Sequence, residues 1–143
     1  MKKGKNVKLL LSALLATTVA ATAAPLDITG AWFRSLPGKL PAAGYFNAQN
    51  NTSHDIAITG ARAEGCGTLM LHQSQNTGGM SGMDMLEKVT VPAGGIVKFA
   101  PGGTHLMCTD AKLKIGTRAP VLLNLSDGTA VAVAFQVRNA AGK

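Results

Sequence analysis

Beyond Pro25 the chain alternates apolar and polar positions in runs of five to eight residues, with glycine between the runs. A period of two sends successive side chains to opposite faces of a strand. The pattern predicts strands near Ile28–Ser35, Gly44–Gln49, Ile56–Ala61, Thr68–His72, Lys88–Val91, Ile96–Ala100, His105–Cys108, Val121–Leu125 and Ala130–Val137. Turn signals separate them. Pro92-Ala93-Gly94-Gly95 joins one pair of strands and Pro101-Gly102-Gly103 the next. Asp127-Gly128 signals a two-residue hairpin of type I′. Asn50-Asn51-Thr52-Ser53-His54-Asp55 reads as another turn. Ser74–Gly82, rich in Gly, Ser, Asn and Gln, reads as the least ordered stretch. No window sustains a 3.6-residue period, so helix is not expected. Many short strands with turns between them define one all-β domain, a sandwich or barrel.

The first 25 residues follow a different rule. Residues 1–8 are basic, and Leu9 to Ala21 is apolar. That run is shorter than the roughly 20 residues a membrane-spanning helix needs. Ala21-Thr22-Ala23 fits the small-x-small pattern of a signal-peptide cleavage site. The expected division is a signal peptide over 1–23 and a single domain over 24–143. No cysteine stands at the cleavage point, so no lipoprotein signal is read. The mature chain, about 120 residues long, is expected to be exported, to the periplasm where there are two membranes, and not embedded in a membrane.

The formal charge of +7 suggests nucleic acid, but its location removes that reading. Lys2, Lys3, Lys5 and Lys8 all precede the apolar run, leaving ten basic against seven acidic residues in the rest. No basic cluster survives, and aromatics are only 4%, too few for base stacking. No nucleophile–base pair, phosphate loop or paired carboxylates appear in a recognisable arrangement, so an enzyme is not expected.

Histidine and methionine carry the candidate chemistry. Met80, Met83 and Met85 lie in the polar, Gly-rich stretch, where core-filling methionine does not belong. Met70 and His72 are two apart on one predicted strand, and His105 and Met107 repeat that spacing later. Three segments thus supply two imidazoles and several thioethers, with no carboxylate in the set. Thioether sulfur is soft and neutral and suits Cu(I), and imidazole also accepts copper. Zinc ordinarily takes Cys, His and acidic ligands. Four protein ligands would leave no open position for a substrate, which suits holding or handing over a metal.

His72-x10-Met83-x21-His105-Leu106-Met107 resembles the His-x10-Met-x21-His-x-Met pattern of the periplasmic copper chaperones called PCuAC. Ala31-Trp32-Phe33-Arg34, Ala43-Gly44-Tyr45-Phe46 with Asn50, Val91-Pro92-Ala93-Gly94-Gly95 and Pro101-Gly102-Gly103-Thr104 resemble that family's strands and central hairpin region. The resemblance runs from Asp27 to Val137. It implies a cupredoxin-like Greek-key β-barrel binding one Cu(I) through His72, Met83, His105 and Met107. The implied role is a monomer that delivers copper to an acceptor protein, an oxidase subunit or its assembly factor, at the copper centre of cytochrome c oxidase. Copper buffering or tolerance is the alternative role. Many members carry a Met- and His-rich tail for a second copper. Here the sequence ends Asn139-Ala140-Ala141-Gly142-Lys143, so one site is expected.

Cys66 and Cys108 lie near these residues. In an exported chain two cysteines ordinarily pair. A redox pair, or thiolates that assist copper capture, are the other readings. Regular strands would put Cys66 on the His72 face and Cys108 opposite Met107, unless a bulge at Gly65 or Gly67 changes the parity. Met80 and Met85 are read as shielding the metal rather than binding it, and Met70 as either a sulfur above His72 or a filler. An electron-transfer cupredoxin would need Cys108 followed by a histidine, which is absent. A metal-free binding module would leave His72 and His105 as ordinary surface residues.

Overall fold

The computed structural model describes residue 4 and residues 12–18, 24–77 and 80–143. The proposed cleavage site at Ala21-Thr22-Ala23 lies outside the described residues. Ten strands follow in chain order: β1 Leu26–Arg34, β2 Ala42–Asn50, β3 Ile56–Arg62, β4 Thr68–Thr77, β5 Met80–Met85, β6 Val89–Val91, β7 Ile96–Phe99, β8 Thr104–Thr109, β9 Arg118–Leu125 and β10 Ala130–Arg138. The described residues contain no helix, and none is long and apolar enough to cross a membrane.

The strands form one sheet in the order β5-β4-β8-β2-β1-β10-β9-β3-β6, with β7 paired to β2. The sheet curls, with its inner face forming the core, as in a cupredoxin-like Greek-key barrel. β1 runs parallel to β10, joining the first and last strands at the middle of the sheet. Period-two alternation decides what points inward. Leu69 and Leu71 on β4, Leu106 and Cys108 on β8, and Val121, Leu123 and Leu125 on β9 are buried. All four phenylalanines enter the core. Phe46 stacks on Phe99 with centroids 4.1 Å apart, and Phe33 packs against Phe135 at 4.9 Å. Gly44 on β2 permits this packing. A Cβ there would lie 2.9 Å from the Phe33 ring and 3.1 Å from the Leu106 Cβ.

β7 and β8 lie end to end along the same edge of β2. Phe99 pairs with Phe46, and Leu106 pairs with Gly44. Residues 100–103 make an excursion between them, closed by hydrogen bonds from Gly103 N to Ala100 O and from Ala100 N to Thr104 O. The Pro92–Gly95 turn carries the chain from β6, paired with β3, to β7, paired with β2.

Asn50 organises the turn after β2. Fully buried, it donates from Nδ2 to the carbonyls of His54 and Val91 and accepts at Oδ1 from Thr52 N and Oγ1. Replacing Asn50 by Ala would strand the buried Val91 carbonyl and undo the turn. A loss of about 3 kcal/mol in urea unfolding is expected.

Two sequence expectations are corrected. The Asp127-Gly128 hairpin is not a two-residue type I′ loop. Only Gly128 has positive φ, at 84°, and Gly128 N donates to Leu125 O. Leu125 N donates to Thr129 O, so the loop is Ser126–Gly128, a type I turn closed by a left-handed glycine. The Asp127 carboxylate accepts from Thr129 N and Oγ1, which favours this form. The second correction concerns strand bounds: the strand predicted over Thr68–His72 runs further, and a strand not read from the sequence follows it. β4 continues to Thr77, and Met80 begins β5. Residues 78 and 79 lie outside the described residues. Backbone pairing with β4 makes this polar segment a strand despite its composition.

Candidate metal centre

The β4–β8 ladder sets the site. His72 pairs directly with His105, and Met70 with Met107. Leu69, Leu71, Leu106 and Cys108 point into the core, so these two His and two Met project from the outer face. Met107 in turn pairs with Ala43 of β2. The imidazole centroids of His72 and His105 are 5.9 Å apart, with planes inclined by 57°.

β5 adds sulfur from the other side. Met85 pairs with His72, and Met83 pairs with Ser74. Paired residues share a face, so Met83 and Met85 project on the same side as the two histidines. Met85 is therefore the direct cross-strand neighbour of His72 and Met83 its diagonal neighbour. Cβ separations for such positions are about 5 Å and 7–8 Å, both within reach of a long side chain. Met83 and Met85 are 56% and 69% exposed, whereas His105 is 3% exposed. A cleft of about 530 Å³ opens between the hairpin and the 100–103 excursion, lined by Ser74, Gln75, Asn76, Gly82, Met83 and Gly102.

The two histidines are held differently. His105 Nδ1 lies 3.0 Å from the Gly103 carbonyl. If Nδ1 carries the proton, that contact fixes the ring and leaves Nε2 as the free donor. Gly103 O also accepts from Ser74 N, and Thr104 Oγ1 donates to Gln73 Oε1, tying the excursion to β4. Both ring nitrogens of His72 are buried, and neither has a hydrogen-bond partner among the described residues. Buried polar atoms are almost always satisfied, so this pair of orphaned nitrogens calls for a ligand. Burial, and secondarily the charge of a protonated His105, hold the His72 imidazole below its ordinary pKa of 6.5. The neutral form that a metal requires is thereby favoured. Proton competition at His72 then begins only below that ordinary range, so metal affinity should stay level from pH 8 to about 6.5 and fall below it. A competition titration over pH 5 to 8 checks this.

No group of three His, Cys, Asp or Glu that could hold a metal occurs among the described residues. Beside the two imidazoles, the side-chain donors that the pairing places on this face are thioether sulfurs. The donor set of two neutral imidazoles and nearby thioethers fits a soft monovalent ion better than a hard dication.

Cys66 and Cys108 form a disulfide. Cys66 lies in the turn before β4 and packs against the core, as does the fully buried Cys108. The turn at Gly65–Gly67 thus carries Cys66 across to the inner side, away from the His72 face. Both cysteines of the sequence are consumed, so neither supplies a thiolate ligand.

Fold and site together define a cupredoxin-like domain with a soft-donor face at one edge of its sheet. The chain belongs to the LpqE-like family: the model described as "Putative lipoprotein LpqE-like" matches residues 26–137. A "Putative lipoprotein" of Leifsonia xyli subsp. xyli is 28% identical over 130 residues, covering 89% of this chain and 78% of that protein. Among solved structures, the chain is similar to the copper-bound PCuAC domain from PmoF2, with TM-score 0.68 and 19% identity, covering 83% of this chain and 97% of that one. It is also similar to Cu(I)-bound DR1885 from Deinococcus radiodurans, with TM-score 0.66 and 30% identity over 82% of this chain and 81% of that one. Apo-DR1885 matches at TM-score 0.62 and 27% identity over 97% and 95%.

Proposed function

We propose that this chain is an exported copper carrier that binds one Cu(I) through His72, Met83, His105 and Met107 and passes it to an acceptor protein. The observation that carries the reading is the His72–His105 pair, whose His72 nitrogens are buried without a partner among the described residues, on the sheet face that also carries Met70, Met83, Met85 and Met107. The Cu(I)-bound state of DR1885, at 30% identity, supports the choice of ion. The lipoprotein naming of the relatives supports export, to the periplasm where there are two membranes.

The site suits transfer rather than catalysis. Two buried-side imidazoles hold the ion on the sheet, and the exposed thioethers of β5 form its outer wall. An incoming acceptor ligand displaces a methionine first and a histidine last. A copper centre such as that of cytochrome c oxidase is the acceptor in this reading, and copper buffering is the second role the same site would serve.

The test is titration of residues 24–143 with Cu(I) against a competing chelator, in ascorbate, which leaves disulfides intact. One Cu(I) per chain is expected. Met83→Ala should weaken binding about tenfold or more, and Met85→Ala by less than about threefold. A larger loss in Met85→Ala would transfer the ligand role to the residue directly opposite His72. No Cu(I) bound, or no loss in any His or Met variant, would sink the proposal.

A further inference from the structure

The outer face that carries the metal residues continues across β2, β1, β10 and β9. The row Met70–Met107–Ala43 extends to Arg34 and then Arg138. In the next row Tyr45 pairs with Trp32, Trp32 with Gln136, and Gln136 with Arg118. Strands are spaced by about 4.8 Å, so Arg34 stands about 10 Å from Met107 and Arg138 about 14 Å. No carboxylate occupies any position in these two rows.

Adjacent register partners are seldom both arginine, since like charges placed opposite each other destabilise a sheet. Aromatic rings underlie both side chains here. The Arg34 guanidinium carbon lies 5.6 Å from the centroid of Tyr45, and that of Arg138 lies 5.0 Å from Trp32. Arg138 also donates from Nε and Nη2 to Gln136 Oε1. Arg34 Nε is buried with no hydrogen-bond partner among the described residues. The two guanidiniums are thus positioned in advance, and their charge is not met by an acid from this chain's own rows.

We propose that Arg34 and Arg138 form the docking face for an acidic protein surface, that of the copper acceptor. The occupant follows from charge complementarity and from continuity with the metal site. A partner burying about 800 Å² of this face would cover the arginines and reach Met107 together. Carboxylates on the partner would pair with both guanidiniums and bring its ligands over the metal. This inference rests on the copper-carrier reading.

The probes are two synthetic peptides, each with a Cu(I)-accepting pair of cysteines, flanked in one by four aspartates and in the other by four asparagines. Transfer from the copper-loaded chain should be about tenfold faster to the aspartate peptide at low salt. The ratio should fall toward one in 1 M salt, where the screening length is about 3 Å. It should also fall toward one in the Arg34→Gln/Arg138→Gln variant, whose Cu(I) affinity stays unchanged. Equal rates to both peptides with the native chain, or a ratio that survives in the variant, would overturn the docking face while leaving the copper reading intact.

If the chain takes up no Cu(I), the copper reading fails separately, and the metal-free protein tests the face. Trp32 is the only tryptophan. A salt-sensitive change in its emission on adding a cysteine-free aspartate peptide, absent from the variant, would support the face. No change, or a response only to anionic phosphatidylserine vesicles, would overturn it.

Discussion

Replacing His72 by leucine should abolish tight Cu(I) binding and yet leave the metal-free protein as stable as the native chain, or more stable. The two effects have opposite signs for one reason. Both His72 ring nitrogens are buried without a partner among the described residues, so the metal-free fold bears their desolvation with no return. An apolar side chain of similar size removes that cost. A gain of about 1 kcal/mol in urea unfolding is expected, with at least about a hundredfold loss in Cu(I) affinity. His105 makes a useful contrast. Its Nδ1 lies at hydrogen-bond distance from Gly103 O, so His105→Leu should lose copper and stability together. The pH dependence gives a second reading of the same residue. The unfolded His72 titrates near 6.5, whereas the folded ring is held lower. Protonation of the unfolded ring therefore leaves stability unchanged above the unfolded value and lowers it as pH falls toward the folded one. His72→Leu should remove that share of the acid-side slope. A His72→Leu chain that unfolds more easily than the native one, with copper affinity retained, would place the ring among ordinary structural histidines.

Much of the candidate site's layout was legible because strand period and side-chain chemistry both act locally. Met70 with His72, and His105 with Met107, are two apart, and a strand must project each pair to one side. Their meeting across the β4–β8 ladder is a matter of register, which turn lengths and core packing set and which no single segment declares. The same limit hid the position of Met85. Spacing along the chain singles out Met83, whereas pairing places Met85 opposite His72. β5 was unreadable for a further reason. Its residues have weak strand preference, and β4 supplies the pairing that makes them a strand. The Asp-Gly turn was misjudged because the Asp127 carboxylate bonds Thr129, favouring a loop one residue longer. The inward turn of Cys66 depends on Gly65–Gly67, where a Cβ on Gly67 would lie 2.9 Å from Asp110. A glycine there announces a break in parity but not its direction.

Loss of the Cys66–Cys108 disulfide should cost more stability than any single side chain considered above. The bridge spans a sequence separation of 42 residues. Opening a loop of that length in the unfolded chain returns entropy worth about 4 kcal/mol. For a domain of this size that amounts to a fall in Tm of about 15 °C in Cys66→Ser/Cys108→Ser. Copper binding should respond differently. Leu69 pairs with Cys108, and the Met70–Met107 and His72–His105 pairs follow on the same ladder, held by backbone hydrogen bonds as well as by the bridge. At 10 °C, where the variant remains folded, its Cu(I) affinity should lie within about threefold of native. The excursion at residues 100–103 and its bonds to β4 are untouched by the substitution, so His105 keeps its orientation. A variant that is folded but binds no copper would show that sulfur from the cysteines, rather than the thioethers, captures the ion. Equal affinity with a much lower Tm would assign the bridge to clamping β4 against β8 beneath the candidate metal face.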